Sequence, residues 1–303
     1  MMMIQNQQFD KERALYGLKD VCVQHCIFDG PADGESALKE CENVRVEESF
    51  FDLRYSLWHD RSLKLAHCEL TENCRAALWY VEDVTVTDSK LHGIKAFREC
   101  QNVRLENCEI ISDEFGWFSD NISFENCTAE SKYFLMKNHG VRAKNLEMSA
   151  KYSLQYIEDG LFEDCIIDSK DAFWHAKNVT VKNSILGGEY LAWYSENLTF
   201  ENCKIIGTQP FCYCKNLTLI NCEMVDCDLA FERSTVQATI TTPVVSIKNP
   251  FAGSEIRVPA VGEIIRDIDG AEGNVILIDE ARSPSRLRAR PAKNFRENPP
   301  KNH

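Results

Sequence analysis

The chain has 303 residues, 44% of them hydrophobic, and a formal net charge of −13. That is ample apolar material for a core, and the acidity excludes nucleic acid as a partner and adhesion to anionic membrane surfaces. No apolar run reaches the roughly 18 residues of a membrane-spanning helix.

The segment Met1–Asp10 has no basic stretch followed by an apolar one, so no secretory signal is read there. Fourteen cysteines are too few for a disulfide scaffold of this length, and reduced thiols in a cytoplasmic protein are expected. Residues 1–20, ending in FDKERALYGLKD, are expected to form an N-terminal cap. From Val21 the chain repeats itself. The unit reads Asn-apolar-x-apolar-x-Asn-Cys-x-apolar, with clear copies starting at Asn102 (NVRLENCEI), Asn121 (NISFENCTA), Asn178 (NVTVKNSIL), Asn197 (NLTFENCKI) and Asn216 (NLTLINCEM). The first apolar position recurs every 19 residues from Val84 to Val236, and the earlier copies at Val21, Val44 and Leu63 are followed at 23, 19 and 21 residues. The two longer spacings are expected to be loop insertions.

Apolar residues alternate within the unit, which means strands, and 19 residues cannot hold a strand plus a crossover helix. The sequence predicts an all-β fold: a single-stranded right-handed parallel β-helix over residues 21–240, of about 11 coils. A final coil and C-terminal cap are expected over 241–282, then a basic, disordered tail over 283–303. Residues 281–303 carry a net of +6, which leaves −19 for the rest.

Two columns of Asn and Asp mark the turns, one running through Asn102, Asn121, Asn178, Asn197 and Asn216, the other through Asn107, Asn126, Asn145, Asn183, Asn202 and Asn221. Asn tolerates a left-handed backbone, and its amide can bond the rung above. Five glycosylation sequons fall in these ladders as a by-product of the repeat, and none is expected to carry sugar. The next column holds Cys26, Cys68, Cys108, Cys127, Cys165, Cys203 and Cys222, small residues suited to an inner corner. Metal sites need converging ligands rather than a line of them. The nearest approach to a cluster is Cys212, Cys214, Cys222 and Cys227, and no metal or cofactor is expected. The inserted loop with Asp29, Asp33 and Glu35 fits no calcium-loop spacing.

Function must sit on a lateral face. All five tryptophans, Trp58, Trp79, Trp117, Trp174 and Trp193, stand five residues before a rung's first strand residue, and Arg98 shares their column. The column before them, with Leu57, Phe97 and Phe173, is apolar and should face the core, so strand alternation turns the tryptophans outward. The column after them includes His59, Tyr80, Lys137, Tyr156, His175 and Tyr194. Aromatic platforms with polar groups beside them suit a sugar chain. Trp58, Trp79, Arg98, Trp117, Trp174, Trp193 and Tyr194 are the candidate binding residues. Acid–base chemistry on a glycan needs two positioned titratable groups, and Lys137, Tyr156, Asp171 and His175 form the richest local set.

The segments ERALYGLKD (12–20), FDGPADGESALKE (28–40), the run from Asp171 to Leu217 that contains GTQPFCYC, and SIKNP (246–250) resemble an uncharacterised, mostly bacterial family of pectate-lyase-like right-handed β-helix proteins. The resemblance spans nearly the whole chain to about residue 280. It implies the β-helix fold and a cytoplasmic setting, and brings no catalytic residue. Two functions stay open at this point. One is a protein that binds, and in the stronger form cleaves or isomerises, an oligosaccharide along the aromatic strip. The other is a non-enzymatic scaffold that docks a protein or a second copy of itself there.

Overall fold

The computed structural model describes residues 1–31 and 35–278. It is an all-β, right-handed parallel β-helix of about 14 turns of ~19 residues, with no helix among the described residues and hence none that could cross a membrane. One wall stacks six-residue strands such as Glu42–Glu47, Arg61–Ala66, Glu82–Thr87 and Gln101–Glu106, all parallel and in register. A second stacks shorter strands, Lys90–His92 and Glu109–Ile111 among them, that lengthen to five residues at Thr128–Lys132, Glu147–Lys151 and Ile166–Lys170.

The turn count exceeds the 11 expected because both ends coil as well. Met2–Gln5 pairs with Val21–Gln24, Gln237–Thr239 with Glu255–Arg257, and Glu255–Val258 with Asn274–Leu277. The first rung carries a single marker, Asn6 at φ +54 in the second ladder column, and none of these terminal rungs carries the corner cysteine, so the repeat motif is faint there. The 23- and 21-residue spacings leave the ladder undisturbed, since Val21 pairs with Val44 and Leu63 with Val84. In the first insertion Glu35 faces Arg54 at 3.2 Å, while Asp33 lies outside the described residues, as does the basic tail.

Alternate residues of each strand point inward and fill the bore. Val44 and Val46, Leu63 and Leu65, and Val84 and Val86 are all buried. Register places like above like, so Phe28 stacks on Phe51 with ring centres 4.5 Å apart and Phe115 on Phe134 at 5.2 Å. Burying each such side chain contributes about 1.5–3 kcal/mol.

The corners work as the sequence suggests. Asn102, Asn121, Asn126, Asn145, Asn178 and Asn197 all have φ between +53 and +58. Their amides form ladders: Asn126 donates to Asn107 at 3.3 Å, Asn145 to Asn126 at 2.8 Å and Asn197 to Asn178 at 2.9 Å. All fourteen cysteines are buried and free. Those of the corner column donate to two carbonyls each, Cys165 to Glu163 at 3.2 Å and to Ala143 at 3.7 Å. Burial pushes the Cys68 and Cys165 thiols up to about 11, so they stay protonated and unreactive at neutral pH. No three His, Cys, Asp or Glu side chains among the described residues converge on a point that could hold a metal ion.

Asn126 allows two contributions to be separated. Asn126→Ala removes two ladder bonds and places a Cβ-bearing residue without a local hydrogen bond at φ +54. Asn126→Gly removes the same bonds without the backbone strain. Urea denaturation is expected to show Ala costing about 1 kcal/mol more than Gly. Equal losses would mean that the amide ladder, not the left-handed turn, selects Asn.

Candidate functional site

The third wall is built differently, and its chemistry follows from that. Every second residue is left-handed: Tyr55, Leu57 and His59 in one rung, Asp171, Phe173 and His175 in another, Tyr190, Ala192 and Tyr194 in the next. Strict in-out alternation requires an extended chain, and this chain is not extended. In successive positions Leu57 is fully buried, Trp58 half-buried and His59 exposed. The same sequence holds at Phe173, Trp174 and His175 apart from a half-buried His175. The tryptophan column and the column after it therefore both reach the surface, the second more fully.

The indoles lie along the wall. Each Nε1–H donates to a carbonyl of the next rung: Trp58 to Ala76, Trp79 to Lys95, Trp117 to Tyr133, Trp174 to Tyr190 and Trp193 to Gln209, at 2.5–2.9 Å. Trp58 stacks on Trp79 with centres 5.1 Å apart, and Trp174 on Trp193 at 5.7 Å. Arg98 takes the missing indole's place, its guanidinium 5.1 Å from the ring centres of both Trp79 and Trp117. The tryptophans thus bind rung to rung, and an outside ligand meets only their free edges.

The adjoining column is the accessible one. Tyr156, His175, Tyr194 and Tyr213 form an unbroken stack with centres 4.6–5.1 Å apart and planes within 11° of parallel. His59 and Tyr80 form another at 4.7 Å. Tyr194 is 46% exposed and Tyr156 43%. Within a stack the flat faces cover one another, so the rings present edges, with hydroxyl and imidazole groups repeating at the rung spacing of about 4.8 Å. Ring faces are free of a stacked neighbouring ring only where the column breaks, and there Arg98 and Lys137 lie 5.3 and 5.8 Å from the Phe118 ring centre. One break lies at Glu99, between Tyr80 and Phe118. There a cleft of about 570 Å³ is lined by those three residues with Cys100, Gln101 and Asp120. A second break lies at Lys137, whose ammonium sits 5.8 Å from the Phe118 ring centre.

Lys137, Tyr156 and His175, three of the four acid–base candidates, occupy successive rungs of this one column. Asp171 does not join them. It stands on the far side of the tryptophan column, buried, with its Oδ1 bonded to nothing among the described residues. Burial raises its pKa, Lys170 and Lys151 oppose the shift, and Glu189 reinforces it. Its column neighbours Tyr133 and Tyr152 stack on one another at 5.2 Å. Among the binding candidates, Trp79, Arg98 and Trp117 run beside the Glu99 break without lining its cleft, Trp58 lies one rung below Trp79, Trp174 and Trp193 stack beside the long stack, and Tyr194 is part of it.

One feature of this face escapes a motif search. At the edge where it meets the first wall, charges alternate up the rungs: Lys19 pairs with Glu42 at 2.6 Å and Arg61 with Glu82 at 3.3 Å. Beyond the middle, Lys177 pairs with Glu158 at 3.4 Å. Between these runs the position due a cation holds Gln101, followed by Asp120 and His139, whose imidazole bonds Asp159. The signal in the sequence is alternation of sign at a fixed offset.

The family described as protein of unknown function (DUF3737) matches the chain over residues 2–278. No curated protein matches it. Among solved structures it is similar to the A-module of mannuronan C-5 epimerase AlgE4 from Azotobacter vinelandii, at 11% identity over 86% of this chain and 89% of that one, with a TM-score of 0.32. It is also similar to PfbA, a surface adhesin of Streptococcus pneumoniae, at 10% identity over 85% and 74% with a TM-score of 0.36, and to an endo-xylogalacturonan hydrolase from Aspergillus tubingensis, at 8% identity over 84% and 87% with a TM-score of 0.25. At these identities the likeness reaches no further than the coiling of the chain.

Proposed function

The chain belongs to the family described as protein of unknown function (DUF3737), and we propose that it binds carbohydrate, holding an extended oligosaccharide along the aromatic face, parallel to the solenoid axis. The observation that carries this reading is the surface ring column running from His59 to Tyr213, with edge-on polar groups along its stacks and ring faces without a stacked neighbouring ring at its two breaks. Hydroxyl and imidazole edges repeating once per rung are matched to a ligand that itself repeats hydroxyl groups. Lys137 and His175, two rungs and about 10 Å apart, flank Tyr156 and are the acid–base pair of the stronger form of this reading.

The test is a glycan array followed by titration of the best ligand. Tyr194→Ala, which takes away an exposed ring from the middle of the long stack, is expected to weaken binding about tenfold, and Trp174→Ala to weaken it as well. An array with no linear oligosaccharide above background, or unchanged affinity in both variants, would remove the basis for this reading. The scaffold reading also has an observation in its favour: all five indole N–H groups are already satisfied within the chain. If it holds, sedimentation shows a dimer that Tyr194→Ala dissociates and sugars leave untouched.

A further inference from the structure

The break at Glu99 has a shape and a charge of its own. Tyr80 and Phe118 are two rungs apart, about 9.6 Å at the rung spacing. Two van der Waals contacts of about 3.5–4.0 Å each use 7–8 Å of that and leave room for the pucker of one saturated six-membered ring. The flat ring of His175 occupies a gap of the same two rungs between Tyr156 and Tyr194, so the shape admits a ring and the choice among rings falls to the charge. The cleft of about 570 Å³ is within the usual range for a small-ligand site.

Its charge is unbalanced. Glu99 and Asp120 form no ion pair among the described residues, and Gln101 between them occupies the position where the alternating column calls for a cation. Glu82, next below, is taken by Arg61 at 3.3 Å. The nearest cation, Arg98, is stacked against Trp79, Trp117 and Phe118, its guanidinium 5.3 Å from the Phe118 ring centre, and is joined to neither carboxylate by an ion pair. An ammonium group delivered by a ligand would complete the column. A uronate carboxylate would meet two uncompensated charges of its own sign.

We propose that this slot is a subsite for a protonated amino sugar, its ring held between Tyr80 and Phe118 and its ammonium set among Glu99, Gln101 and Asp120. The proposal rests on the glycan-binding reading of the face and sharpens it: among sugar chains, the protein selects those bearing free amines over neutral and acidic ones.

The experiment uses the full chain and three probes titrated calorimetrically: oligomers of β-1,4-linked glucosamine at a pH where the amines are protonated, their fully N-acetylated counterparts, and oligogalacturonates. The glucosamine oligomers are expected to bind about tenfold more tightly than the acetylated ones, with oligogalacturonates weakest and the preference shrinking as salt rises. The double variant Glu99→Gln/Asp120→Asn keeps the shape of the slot and should bind amine and acetylated oligomers alike. Tyr80→Ala should weaken both. A thermal melt of each variant separates loss of binding from loss of fold. Equal affinity of the wild type for amine and acetylated oligomers overturns the amine subsite and leaves glycan binding standing. A preference that survives Glu99→Gln/Asp120→Asn places the amine elsewhere and also overturns it. Binding of none of the probes, with no other glycan bound on the array, sinks the subsite and the glycan reading together.

Discussion

Gly207→Ala is expected to be among the most damaging single methyl additions this chain can receive, costing about 3 kcal/mol or more in denaturant unfolding. Gly207 has φ +129, in a region that side-chain-bearing residues rarely enter. A Cβ built there would stand 2.1 Å from the carbonyl oxygen of Gly188, which is backbone and cannot swing away. The position has a structural meaning. In the rungs where the second wall's strand runs to five residues, the equivalent residues are Ser131, Ala150 and Ser169, held in extended strands. In the rungs of Gly188 and Gly207 the strand stops at three residues, Ile185–Gly187 and Lys204–Ile206, and the chain turns at the glycine. Gly253→Ala is the control. Gly253 has φ +86 but nothing within 4 Å of its would-be Cβ, so only backbone strain of about 1–2 kcal/mol is expected. If both variants lose the same stability, the close approach to the Gly188 carbonyl has no energetic consequence.

These glycines also show why some of the fold was legible and some was not. A strict 19-residue period forces equivalent residues into vertical lines, and the Asn102 to Asn121 and Asn126 to Asn145 ladders follow from the period alone. The terminal rungs were only partly legible: a final coil was expected after residue 240, but the strand Met2–Gln5 is followed by a single marker, Asn6, and Asn274–Leu277 by none, so neither reads as a repeat unit. The third wall was legible in composition but not in geometry. Strand parity holds only for an extended backbone, and Leu57, His59, Phe173 and His175 are all left-handed. The stacking of Tyr156 on His175 on Tyr194 was implicit in the columns: aromatic rings repeated at the rung spacing cover one another's faces. That consequence shifts the open ring faces from the tryptophans to the breaks in the stack, where Glu99 and Lys137 stand. The gap at Gln101 was present in the sequence too, but it becomes visible only when charge, rather than hydrophobicity, is read along the 19-residue offset.

Asp60→Asn is expected to stabilise the protein at neutral pH, by about 1–3 kcal/mol, and to flatten its stability between acid and neutral pH. Asp60 belongs to an inner-corner column in which four polar members donate to a carbonyl about one rung below: Cys100 to Leu78 at 3.1 Å, Asn138 to Gly116 at 2.5 Å, Ser195 to Phe173 at 2.6 Å and Cys214 to Ala192 at 3.0 Å. Those four bonds share an offset of 22 residues, which from Asp60 points to the carbonyl of Leu38 as the acceptor a protonated Oδ2 would use. Oδ1 of Asp60 accepts from the Cys41 N–H at 2.7 Å, while Oδ2 is buried and bonded to nothing. An ionised carboxylate can only accept, and here it would face a carbonyl. A protonated one donates as its column neighbours do. Burial accordingly raises the Asp60 pKa well above the ordinary carboxylate value, with the Cys41 N–H partly opposing the shift. The sign of the pH dependence follows from that direction. Because the folded protein holds this proton more tightly than the unfolded chain, the stabilisation from Asp60 is fully present below the unfolded pKa of about 3.9 and is lost as pH rises through the folded value. Asn would supply the acceptor to Cys41 and a permanent donor toward Leu38, the donor role that Asn138 plays toward Gly116 four rungs further on, and it titrates in neither state. Unfolding free energies measured by urea from acid to neutral pH should therefore fall for the wild type relative to Asp60→Asn. Parallel curves for the two proteins would show that Asp60 is not the buried acid that this corner requires.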